Sequence, residues 1–205
     1  MMTALGESVV RGVALIQLTT VAGLILGGCA RDPFVTERGE TYAGEWLIPH
    51  QIDRVTGAEL PSAYVFAEAS NSNVDFPRVS SLLLTCIDGA PLIRFAFDFK
   101  IGSNRNTVLG YRFDGKPGHD DVGSRVVRGN QIIVIEDKAE IATFVGELAG
   151  AKTLYVRIRS INGGRTAVEY PLEGSTAAIR AAFSKCDMPK PPLPEQGRTT
   201  LSGVY

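Results

Sequence analysis

Histidine is nearly missing from this chain. Its 205 residues hold His50 and His119 and no other imidazole, beside three cysteines and the single tryptophan Trp46. Neither histidine belongs to a recognisable Ser-His-Asp or Cys-His arrangement, and G-x-S-x-G, H-E-x-x-H and phosphate-loop patterns are all wanting. The turn Asn162-Gly163-Gly164 lacks the strand-to-helix context a nucleotide loop requires. No enzyme and no cofactor are therefore expected. Asp114, His119, Asp120 and Asp121 offer oxygen and nitrogen donors, but without ligand spacing or a second histidine, and loops gather Asp and Gly for steric reasons. No metal is expected there. A surplus of positive charge is also lacking, since the formal net charge is −1, and this excludes the nucleic-acid-binding class. Carboxylates distant in sequence can still meet in space, so an envelope hydrolase or small-ligand carrier is the alternative reading.

A long hydrophobic run is missing too. The apolar stretch over residues 13–26 is shorter than the roughly 20 residues of a membrane-spanning helix and matches a signal-peptide core instead. It ends in Leu26-Gly27-Gly28-Cys29, an aliphatic residue, two small residues and a cysteine. This box resembles the bacterial lipoprotein signal. The resemblance implies removal of residues 1–28 and lipid on Cys29, with acyl chains that hold the protein to a membrane. Because Ala30 and not Asp follows the cysteine, it also implies the outer membrane, facing the periplasm or, alternatively, the cell surface. Processing takes away only Arg11 and Glu7, so the net charge does not change.

Cys86 and Cys186 remain as an even pair in what is then an oxidising space, and a disulfide is expected between them. Strand alternation puts Cys86 on the face of Leu82 and Leu84. Helical spacing puts Cys186 on a stripe with Ile179, Ala182 and Phe183.

Residues 29–45 are polar and hold Pro33, Gly39 and Gly44, which reads as a tether. One domain is expected over 46–186, opening with a strand at Trp46 and a turn over 53–57. Strand patterns follow over 63–69, 81–87 and 92–99, the last two joined across Asp88-Gly89 as a tight hairpin. Further strands are expected over 107–113, 124–128, 131–135, 153–161 and 165–172. A helix should start near the capping pair Asp137 and Glu140 and stop at Gly150, and a second, capped by Ser175, should run through Cys186. Residues 187–205 carry Pro189, Pro191, Pro192 and Pro194 and read as a flexible tail. The expected fold is α+β, mainly an antiparallel sheet, sandwich-like, with two helices packed on it.

If strands 92–99 and 107–113 are neighbours, their polar faces gather Arg94, Asp98, Arg112 and Asp114 into one surface patch. The succession of Trp46, the 53–57 turn, Leu82-Leu83-Leu84-Thr85-Cys86, Tyr111-Arg112-Phe113-Asp114, Leu154-Tyr155-Val156-Arg157 and the helix ending at Cys186 is similar to the periplasmic accessory proteins of type VI secretion clusters, the VasI or TagO type. That resemblance implies an envelope β-rich domain with one long-range disulfide and no cofactor. The expected role is non-catalytic, that of an accessory or binding module for another envelope protein.

Overall fold

Alternating apolar positions decide where the sheet forms. The computed structural model describes residues 33–188; the expectations for residues 1–28, for Cys29 and for the proline-rich segment from 189 onward lie outside them. The strands are β1 (Val35–Ala43), β2 (Trp46–Asp53), β3 (Ser62–Asn71), β4 (Arg78–Ile87), β5 (Ala90–Phe97) and β6 (Thr107–Phe113), followed by β7 (His119–Val122), β8 (Arg125–Val127) and β9 (Ile132–Ile135). Helix α1 (Lys138–Leu148) precedes β10 (Thr153–Ser160) and β11 (Gly164–Pro171), and α2 (Ser175–Ala182) closes the series. All eleven strands belong to one connected antiparallel sheet, so the class is α+β with a β-rich core.

The sheet's order is β7-β6-β10-β11-β3-β4-β5-β9-β8, with the β1–β2 hairpin attached to β3 through Leu47 and Tyr64. Laid flat at about 4.8 Å per strand, the two ends of that path would stand about 38 Å apart. Yet β7 and β8 are joined by Gly123 and Ser124 alone, a link that reaches at most about 11 Å. The sheet must therefore curl until its ends almost meet.

The concave side is the core. Ile93 and Phe95 of β5, Leu109, Tyr111 and Phe113 of β6, and Leu154, Val156 and Ile158 of β10 all point into it and are buried, following the alternation read from the sequence. Helix α1 fills the hollow. Its Phe144 ring lies 4.9 Å from those of both Tyr111 and Phe113 and 6.2 Å from that of Phe95, so one side chain ties the two limbs of the curl together. Ala178 and Ala182, both buried, let α2 lie close against the sheet near β3 and β4. Packing of this kind supplies most helical stability in folded proteins.

Local chemistry explains the turns. Asp88 and Gly89 both have positive φ, 50° and 79°, as a two-residue hairpin between right-twisted strands demands. In the 53–57 turn the Asp53 carboxylate accepts from the Val55 and Thr56 amides and the Thr56 hydroxyl. Asp137 caps α1, its Oδ1 accepting from the amides of Ala139 and Glu140. Cys86 and Cys186 are disulfide-bonded, with Cα atoms 5.7 Å apart, closing a loop of 100 residues.

Three expectations need correction. Residues 35–43, expected in a tether, form β1 and pair along β2 through Val35↔Asp53 to Ala43↔Trp46. Their side chains are almost all exposed, so a strand held by its partner's backbone left no apolar rhythm to read. Ser175 does not cap α2: the cap is Gly174 at φ 90°, where the Ala43 carbonyl would collide with any Cβ, and the Ser175 hydroxyl accepts from the Gly150 amide instead. Helix α2 also ends at Ala182, so Cys186 sits in the turn beyond it and not on its stripe.

Candidate functional site

The patch of Arg94, Asp98, Arg112 and Asp114 does not exist as one surface, because β10, β11, β3 and β4 intervene between β6 and β5. Arg94 stands in the row Leu83–Arg94–Val134, with its Nε buried and without a hydrogen-bond partner among the described residues. Asp98 pairs with Arg78 at 3.8 Å, an exposed contact of the kind that contributes roughly 0–1 kcal/mol. Asp114 is a backbone clamp. It accepts from the amides of Thr153 and Lys152 at 2.8 and 3.0 Å, and those bonds, that from Thr153 first, hold its carboxyl below the usual range. Arg112 stands opposite Tyr155 of β10, on the face that also carries Arg157 and Arg159.

The loop rich in possible ligands, residues 114–121, resolves into separate tasks. No cluster of three or more metal-binding side chains occurs among the described residues. His119, on the short strand β7, stacks on Tyr111 with ring centres 4.7 Å apart and places Nε2 2.9 Å from Glu147 Oε1 of α1. Tyr111 is buried, its hydroxyl has no hydrogen-bond partner among the described residues, and burial, with the Glu147 and Glu140 charges added, pushes its pKa well above the ordinary value. A tyrosine so placed stays protonated. No serine, threonine or cysteine is hydrogen-bonded to either histidine among the described residues, and the thiols of Cys86 and Cys186 are consumed in their bond. The geometry offers an imidazole and a carboxylate that brace β7 against α1.

Asp120 does something different. Its carboxylate reaches outward to two guanidiniums of β10, Arg157 Nη2 at 2.9 Å and Arg159 Nη2 at 3.0 Å, and Arg157 foremost holds its pKa below the usual carboxylate range. Gly110 of β6 lies opposite Arg157 and makes room: a Cβ there would stand 3.1 Å from Asp120 Oδ1. On the same convex face the register sets Arg112 opposite Tyr155 and Arg159 opposite Arg165 of β11. An open groove of about 720 Å³ borders this face, lined by Arg105, Arg159, Arg165, Asp121 and Ile161 among others.

A second convex region is aromatic. Tyr64 and Phe66 of β3 stack with centroids 6.3 Å apart and planes within 6°, and they wall a groove of about 410 Å³ together with Leu47 and Pro49 of β2. Phe66 remains 51% exposed and Val79, on β4, 61%. A third groove, about 520 Å³, contains His50, Glu59 and Ser62, but Glu59 is held by Lys185 at 2.6 Å, which lowers its pKa.

Reading the sequence alone missed the arginine face. The outward positions of Arg157 and Arg159 were plain from the alternation, and the short turn before Arg165 fixes its place opposite Arg159; that β10 lies beside β6 was the unread step. Glu147, within α1, carried no signal of its own.

No family model matches the chain, and no curated protein matches it either. In part the chain is similar to a solved structure, invasion associated protein B from Bartonella henselae, at 16% identity and a TM-score of 0.47, covering 71% of this chain and 96% of that one.

Proposed function

We propose that this protein is a non-catalytic module of the cell envelope, an accessory that binds another envelope protein. In this reading lipid on Cys29 holds it at the outer membrane facing the periplasm, as the signal-like box at residues 26–29 implies. A secretion-system partner is what the resemblance to type VI accessory proteins implies. We read the two limbs of the curled sheet, facing each other across Phe144, as the sandwich-like arrangement expected from the sequence.

One observation carries the binding role. The stacked Tyr64–Phe66 pair, with Val79 beyond it, presents apolar area to solvent on the convex side, where a strand face has no reason of folding to be apolar. Such patches mark contact sites in soluble domains, and aromatic residues anchor interfaces. The disulfide supports an oxidising compartment. A small-ligand carrier is the second reading, favoured by the 520 Å³ groove around His50, which lies within the usual size of ligand pockets.

Crosslinking from a photoreactive residue at position 79, beside the patch, should capture a defined envelope protein in intact cells, and adding Phe66→Asp to that chain should abolish the capture. Cys29→Ser should release the protein from the membrane fraction. Capture unchanged by Phe66→Asp overturns the aromatic site, and a Cys29→Ser chain that still sediments with membranes overturns the anchor.

A further inference from the structure

The convex face of β6, β10 and β11 is electrostatically unsettled. Arg159 and Arg165 are directly opposed across an antiparallel pair, where side chains approach closely and like charges repel. Arg157 and Arg159 already share a single carboxylate, that of Asp120. Among the described residues Arg105, Arg112 and Arg165 form no ion pair at all. Asp121 and Glu169, with Asp114 just past β6, bring the carboxylates here to four with Asp120, against the five arginines Arg105, Arg112, Arg157, Arg159 and Arg165, so a local positive excess remains on a chain whose net charge is −1. Beyond the two Asp120 pairs, folding gains nothing from that arrangement. A negatively charged partner would relieve it.

The geometry points to the kind of partner. Arg157 and Arg159 alternate along one strand, so their stems are about 6.7 Å apart, the same-face repeat of any extended chain. Tyr155 continues that row beside Arg112, and Asp120 demonstrates that a carboxylate seats between neighbouring guanidiniums. Exposed Ile161 supplies an apolar contact at the bordering groove. We propose that this face docks an extended acidic segment of a protein partner, whose carboxylates seat on the opposed Arg159 and Arg165 at one end and, four residues or about 13 Å further along, on Arg112 at the other. The proposal rests on the reading of the chain as a partner-binding module and names the chemistry its partner must have. The three charged contacts steer encounter and make binding steeply salt-dependent.

The test uses the full mature chain and a fluorescent ten-residue peptide alternating Glu and Thr, read by anisotropy at 50 and 300 mM salt. The peptide should bind at low salt, lose most of its affinity at high salt, and bind the Arg159→Ser/Arg165→Ser variant at least tenfold more weakly. A peptide with Lys in place of Glu should bind instead to Arg159→Glu/Arg165→Glu, which also proves that variant folded. Arg165→Ser alone should unfold at the same temperature as the parent or higher, because a repulsion is removed. Equal peptide binding by parent and serine variant overturns the proposal. So does binding of phosphatidylglycerol vesicles, weakened in the serine variant, without peptide binding, since the face would then be a lipid contact. A cellular partner captured equally by parent and serine variant overturns this face but leaves the module reading intact; peptide binding with no cellular partner captured by the parent does the reverse.

Discussion

Removing the Cys86–Cys186 bond is the perturbation whose size follows most directly from the structure. The bond closes 100 residues of chain, and in the loop-entropy account a closure of that length restricts the unfolded chain by about 4.7 kcal/mol. Its removal need not undo the fold: Cys86 is buried near the end of β4, Cys186 packs against the core, and the segment carrying Cys186 is also held by the Asp187 amide donating to the Gly89 carbonyl. The double variant Cys86→Ala/Cys186→Ala should therefore keep its native near-UV circular dichroism while losing roughly 3 to 5 kcal/mol by urea unfolding. Calorimetry should place its Tm about 6 to 20 °C lower, at about 2–4 °C per kcal/mol for a domain of this size. The urea m-value should rise as well, because an unlinked unfolded chain exposes more surface. A loss under 1 kcal/mol with an unchanged m-value would refute the reasoning, since it would mean that the bond does not restrict the unfolded ensemble.

Phe144→Ala should cost about 3–5 kcal/mol in chemical denaturation, because its ring is where Phe95, Tyr111 and Phe113 converge and the site cannot collapse from both limbs at once. Asp137→Ala should cost about 1 kcal/mol by the same assay, since the Ala139 and Glu140 amides lose their acceptor. Acid should destabilise the fold in a stated window. The carboxyls of Asp53, Asp114 and Asp120 all titrate lower in the folded state than their ordinary 3.8, so their stabilisation is full above that value and is lost as pH falls through the lower folded values. Asp114→Asn should flatten this acid limb when Tm is followed from pH 5 to 2; an unaltered limb would show that the clamp on Lys152 and Thr153 does not depend on charge.

Much of this fold was legible because its signals are local. Two-residue alternation over residues 153–160 is enough to send Leu154, Val156 and Ile158 inward, and Asp88-Gly89 is enough to make a hairpin. Strand order is a different kind of fact. Placing the β10–β11 hairpin between β6 and β3 depends on contacts across more than 40 residues of chain, which no window of sequence reports. The expected patch failed for that reason: it took neighbours in the chain to be neighbours in the sheet. β1 was illegible in another way, since it buries almost nothing and exists through its backbone pairing alone. At Gly174 and Ser175 the residue types suggested the usual serine cap, and a carbonyl from residue 43, more than a hundred residues away, decided otherwise.

The near-meeting of β7 and β8 bears on what happens when many copies crowd together. Unsatisfied backbone at the margin of a sheet is what lets β-rich chains zip into fibrils. Here one margin is four residues long with Asp120 and Asp121 on it, the other is three residues long and led by Arg125, and the outlying β1 carries Glu37, Arg38 and Glu40 around an irregular register. Each is too short or too charged to template a second chain, so copies packed densely together would stay separate and meet other molecules through side chains, not through shared strands.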